Sequence, residues 1–132
     1  MMRGGVFHEH MLDQLEDAFR ALGHATERQA PARHQGELTG YVDLLVHLRD
    51  CQFKSLAVEL EMDPKRATND LRKRRDLARQ LGQPVALWIV TPTTGKAKTI
   101  QRAIQPLATG QNQGVQILAF GTAIKRLRSN DL

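Results

Sequence analysis

The chain has 132 residues, a formal charge of +5, 41% hydrophobic and 25% charged residues, and a single cysteine. That length suits one domain over 1–132 able to bury most of its apolar surface in one core. One cysteine excludes an internal disulfide and a cysteine-rich zinc site, and the absence of an 18-residue apolar run or an N-terminal apolar leader predicts a cytoplasmic protein outside the membrane.

From Phe7 to Leu22, Met11, Leu12, Leu15, Phe19 and Leu22 recur at helical spacing, and Gly23 is a stop. A short strand is expected over 25–30, followed by a loop marked by the Pro and Gly residues of "PARHQGELTG". "YVDLLVHL" (41–48) and "SLAVELEM" (55–62) read as a hairpin across the polar "RDCQFK", where Cys51 is an incidental thiol. Asp63 as N-cap and Pro64 at the first helical position start a helix that runs to Leu81 and ends at Gly82. Its expected apolar face is Ala67, Leu71, Ala78 and Leu81.

"PVALWIVT" (84–91) is apolar throughout, as a strand buried on both sides would be, with Trp88 in the core. Ala97, Ile100, Ile104 and Leu107 share one face of a further helix, "GQNQG" reads as a loop, and "VQILAF" is a last strand before a short basic tail. The order helix, three strands, helix, strand, helix, strand predicts an α/β domain with a mixed sheet covered by helices on its faces.

Strand alternation puts Glu59 and Glu61 on one face, α-carbons roughly 6 to 7 Å apart, in an otherwise apolar run. If the hairpin pairs as its short turn suggests, Asp43 reaches the same place. Three gathered carboxylates raise one another's pKa, and burial adds a desolvation cost, so something positive must compensate. Nearby lysines and arginines at a solvated edge would serve for any single acid. The same-face spacing together with Asp43 favours a hard divalent cation, Mg²⁺ or Mn²⁺.

"YVDLLV", about fifteen residues, "AVELEM" and then a basic helix resemble the PD-(D/E)XK nuclease superfamily, with its restriction-endonuclease-like three-layer α/β/α fold and central mixed sheet. The resemblance covers nearly the whole chain in order and type of elements. It implies a metal-dependent phosphodiesterase in which Asp43 is the first metal ligand and Glu59 the second. Glu61 stands where the superfamily usually has lysine, and is a candidate further ligand or base. Lys73 is the first candidate for the replacement cation, ahead of Lys65 and Arg66. Arg66, Asn69, Asp70 and Lys73 share one helix flank by spacing, from which Asn69 and Lys73 could face the acids. "RGGVFHEHML" is similar to the start of archaeal Holliday-junction resolvases, which makes Glu9 a candidate site acid, with Glu16 as the fallback.

The basic helix supplies the candidate phosphate contacts Lys65, Arg66, Asn69, Arg72, Arg74 and Arg75. The function implied is structure-directed or partner-directed DNA endonuclease activity by a homodimer, with RNA as a possible substrate and an inactive binding or assembly module as the alternative. "HEHMLD" fails as a zinc motif because Leu12 stands where the second histidine is needed, and His8 and His10, on different helix faces, read as structural or exposed. "VTPTTGKAKT" fails as a phosphate loop at Val90 and Ala97.

Overall fold

Two strands with no exposed residue anchor the architecture: β3 (Ser55–Leu60) and β4 (Val85–Thr91) are buried along their full length. A strand covered on both faces needs no polar alternation, which is why "PVALWIVT" reads as a continuous apolar run. The computed structural model describes residues 5–104 and 114–132. Within them β1 (Ala25–His34), β2 (Glu37–His47), β3, β4 and β5 (Val115–Ala119) form one sheet in the order β1-β2-β3-β4-β5. The first three strands pair antiparallel, and β3, β4 and β5 pair parallel.

The parallel pairs need crossovers, supplied by α2 (Pro64–Leu81) and α3 (Thr94–Ile104). Both crossovers step in the same direction across the sheet, so their right-handed sense places both helices on one face. There Ala67, Leu77, Ile100 and Ile104 pack on Leu45, Ala57, Leu87 and Ile89. The other face is covered by α1 (Gly5–Ala21) and α4 (Phe120–Arg128), whose Leu12, Leu15, Phe19, Ile124 and Leu127 pack on Leu44, Val58, Trp88 and Leu118. Helices therefore lie on both sides of a mixed sheet, a three-layer α/β arrangement. No helix among the described residues is long and apolar enough to cross a membrane.

The Asp63 cap is present: its carboxylate accepts the Lys65 N–H at 2.9 Å, Pro64 opens the helix and Gly82 closes it in the left-handed conformation. The buried face of α2 differs from the expected apolar one. Ala67 and Leu77 are buried together with Asp70, Lys73 and Asp76, whereas Leu71 and Ala78 are only half-buried and Leu81 is exposed.

Two further expectations are corrected. The segment expected to be a loop after residue 30 is a continuous hairpin, with β1 reaching His34 and β2 starting at Glu37. Pro31 is tolerated because β1 is an edge strand, and Gln35 and Gly36 form a two-residue turn with φ of 52° and 85°. The basic tail begins with a helix, α4, that buries Ala123, Ile124 and Leu127 and leaves its cations outward. Leu107 and most of the expected loop "GQNQG" lie outside the described residues.

Candidate functional site

The sheet changes from antiparallel to parallel at β3, and the candidate site lies at the carboxyl end of that strand, where open α/β sheets commonly bind ligands. The β2–β3 ladder runs from His47↔Ser55 to Leu44↔Val58 and stops. Beyond that pair, side chains replace backbone partners. The Asp43 N–H donates to Glu59 Oε1 at 2.7 Å, and the Leu60 N–H donates to Asp43 Oδ2 at 2.8 Å. Strand alternation breaks at the same place, since Val42 packs with Leu45 on the α2 side although Leu44 and Val46 face α1. Two acids thus occupy the opening between the strands and satisfy the amides that the lost ladder exposes.

Glu59 is fully buried, and its second oxygen, Oε2, accepts a hydrogen bond from Lys73 Nζ at 2.5 Å. Lys73 also donates to the Tyr41 carbonyl at 2.9 Å and lies 3.6 Å from Asp70 Oδ1. Its stem passes directly over Gly40: a Cβ built on that glycine would stand 2.9 Å from Lys73 Cδ. The lysine expected from α2 therefore does meet the acid on β3. Glu61, also buried, follows the last residue of β3; its Oε2 accepts the N–H groups of Met62 and Asp63 at 3.1 Å each.

Asp70 is the site acid that sequence spacing placed on a helix flank without giving it a role. It is 1% exposed, and its carboxyl pKa is pushed up to about 10. Burial is the largest cause, followed by a hydrogen bond with Glu59 and the negative charges of Glu59 and Glu61; Lys73 works in the opposite direction. At neutral pH Asp70 is therefore protonated. The raised value reflects burial first and the neighbouring acids second.

His8 is the second residue that sequence reasoning missed. It is buried against the site, with Nε2 3.4 Å from Asp43 Oδ2 and Nδ1 3.7 Å from Glu9 Oε1. With Glu61, Asp63, Arg66, Met11 and Val90 it lines a cavity of about 100 Å³. Its position one helical turn before Leu12, a core residue of α1, is the signal that places His8 inward. His10 is exposed and within 2.7 Å of Gln14 Nε2.

The expected α1 acids go elsewhere. Glu9 accepts a hydrogen bond from Arg28 Nη2 at 2.7 Å, and Glu16 is bound by Arg28 at 3.2 Å and by the Thr26 hydroxyl at 2.8 Å. Asp13 completes this cluster around Arg28 at 2.9 Å. Glu9 therefore borders the site through His8 and faces a cation on β1.

The basic residues of α2 divide into two groups. Lys65, Arg66, Asn69 and Arg75 are exposed. Arg72 is half-buried and donates to the Thr39 carbonyl at 3.2 Å. Arg74 donates from Nε to the Val85 carbonyl at 2.6 Å, and burial pulls its pKa below the usual guanidinium range. Arg74 thus ties α2 to the start of β4.

Among the described residues, no three Asp, Glu, His or Cys side chains converge as a formed metal cluster. The buried acids nearby carry oxygen donors, the ligand type that a hard divalent cation takes. Asp43, Glu59, Glu61 and Asp70 are all buried, and burial first, then the neighbouring Glu59 and Glu61, keeps a proton on Asp70 into the alkaline range. A cation would replace that proton as the compensating charge. No protein-family model and no curated protein matches this chain.

Proposed function

We propose that the protein is a metal-dependent endonuclease of the restriction-endonuclease-like type, acting on DNA. The observation that carries this reading is the contact between Lys73 Nζ and Glu59 Oε2 beside Asp43, at the point where β2 and β3 separate. It brings together the strand acid, the hairpin acid and the helix lysine to which the PD-(D/E)XK resemblance assigns site roles. Asp43, Glu59 and Glu61 would hold Mg²⁺ or Mn²⁺. Held there, the ion would supply Lewis-acid polarisation of a phosphoryl oxygen and activation of water.

The chain's own groups do the rest. The Asp43 N–H and Lys73 fix the two oxygens of Glu59, so the carboxylate does not need to be ordered when substrate arrives. Lys73 offsets part of the charge that otherwise repels a phosphate. Lys65, Arg66, Asn69 and Arg75, exposed on α2, contact the nucleic-acid backbone and position it without reading sequence. Cutting both strands of a duplex takes two such sites, which a homodimer supplies.

The engagement of both Glu59 oxygens favours a second reading, in which the same fold binds nucleic acid without cutting it. The deciding experiment incubates the protein with supercoiled, linear and branched DNA in Mg²⁺ or Mn²⁺, with EDTA and Glu59→Ala as controls. Cleavage that needs both metal and Glu59 is the expected result. Binding without cleavage of any substrate establishes the second reading, and metal-dependent cleavage of RNA alone reassigns the substrate.

A further inference from the structure

We infer that the apolar cavity beside Glu61, with Phe7 at its mouth, seats one unpaired base of the substrate, so that the protein prefers DNA carrying an unpaired nucleotide to a fully paired duplex. The inference deepens the nuclease reading: it rests on that reading for the class of partner and adds the feature of the DNA that is recognised.

Met11, Leu60, Met62, Val90 and Pro92 make the walls of the cavity apolar, and Glu61 and Arg66 also line it. It opens to solvent, since Met62 is 46% exposed and Arg66 is exposed as well. Its volume is about 100 Å³. A closed apolar cavity of roughly 150 Å³ holds a benzene ring. An open seat of the smaller size takes the edge of one aromatic ring and leaves the face of that ring outside.

Phe7 covers that face. It lies one helical turn before Met11 on the same flank of α1, and long side chains on a helix lean towards its N-terminus, so the wall formed by Met11 continues into the Phe7 ring. At 76% exposure Phe7 is the most exposed aromatic among the described residues. With Met62 it makes an apolar patch around the cavity, not a scattered surface residue.

The rim is positive: Lys65 and Arg66, in the first turn of α2, are both exposed. An apolar side chain of a protein partner would fill the cavity and leave these cations unused. A nucleotide uses both, with its base on the apolar surface and its phosphate at the cations. Pairing and stacking cover the bases of a duplex, so only an unpaired base reaches such a seat without the cost of extrusion. Glu61 belongs both to the cavity and to the buried acids of the candidate site, so a base held here brings the adjoining phosphate to those acids.

The test measures binding by the tag-free full chain in EDTA, where metal-dependent cleavage is stopped, to a fully paired duplex and to the same duplex with one bulged nucleotide. The bulged duplex is expected to bind at least about tenfold more tightly. Phe7→Ala should remove most of that preference and leave both the affinity for the paired duplex and the melting temperature nearly unchanged. Phe7→Trp should restore the preference, with the added indole fluorescence quenched by the bulged duplex alone. Equal affinity for the two duplexes, or none for either, overturns the inference, as does a Phe7→Ala variant that keeps the preference. Loss of a dimer in Phe7→Ala with the preference intact overturns it too, and assigns the ring to a contact between copies of the chain. A preference that depends on Phe7 in a protein that cuts no DNA in Mg²⁺ or Mn²⁺ upholds the base seat and removes the nuclease reading alone.

Discussion

Lys73 on α2 and Glu59 on β3 meet through Nζ and Oε2 at 2.5 Å, and their side chains are 9% and 0% exposed. The pair links a crossover helix to the strand that it follows, at the place where the sheet ladder has ended. Removing the lysine alone leaves a buried carboxylate next to Asp70, and breaking a buried pair from one side is far more damaging than replacing both partners. Lys73→Met should lower the stability of the metal-free protein by about 3–5 kcal/mol, read as a reduced urea midpoint. An unchanged midpoint would show that Glu59 finds other compensation.

Gly40 should prove to be part of the same device. A Cβ at this position would stand 2.9 Å from Lys73 Cδ and 3.5 Å from Cγ, on a stem held at its far end by Glu59 and Tyr41. Gly40→Ala is expected to cost about 1–3 kcal/mol by overpacking. The informative measurement is the double variant with Lys73→Ala, which removes the clashing Cγ and Cδ, so that the packing part of the cost should vanish and only the part due to the φ of 157° should remain. Additive costs would place the strain elsewhere.

Much of this geometry was legible in the sequence, for identifiable reasons. Asp63, Pro64 and Gly82 bound α2 because capping is local chemistry, and β4 was readable because complete burial leaves a continuous apolar run. Asp43 and Glu59 were placed together by hairpin pairing, and the structure brings them within one hydrogen bond of each other. Elements and residues whose character depends on tertiary context were misread. Pro31 and Gly36 look like loop residues but sit in an edge hairpin, where a missing donor and a positive φ are both tolerated. α4 was hidden by its cations, although Ala123, Ile124 and Leu127 have helical spacing. His8 and Asp70 were passed over because a polar residue on the inner face of a helix gains its role only from the charges opposite it.

Asp76 should anchor the β1–β2 hairpin to α2. It is 2% exposed and accepts a hydrogen bond from the Thr39 hydroxyl at 2.9 Å, beside the contact between Arg72 and the Thr39 carbonyl. Asp76→Ala removes one acceptor from the half-buried Thr39 hydroxyl, which keeps the Ala32 carbonyl at 3.0 Å, and should cost about 0.5–1.5 kcal/mol. Amide hydrogen exchange should accelerate over residues 37–41 more than in β4. Asp76→Asn keeps an acceptor oxygen and should show the smaller effect on both measurements.

Asp70 makes stability depend on pH in a direction opposite to that of an ordinary paired acid. Its pKa rises from 3.8 to about 10 on folding, so the folded state holds a proton that the unfolded chain releases. The stability contributed by this proton is fully present below pH 4 and is lost progressively as pH rises from there towards 10. The loss approaches about 1.4 kcal/mol per pH unit where the folded group is protonated and the unfolded one is not. Asp70→Asn retains a neutral side chain of the same shape at every pH. It should therefore match wild type near pH 4 and exceed it in melting temperature at pH 8 in EDTA. A divalent cation should narrow that difference by stabilising the ionised wild-type site and not the variant. Parallel melting curves for the two proteins across this range would show that Asp70 ionises normally in the folded protein, and that the carboxylates at the mouth of β2 and β3 carry less concentrated charge than their burial implies.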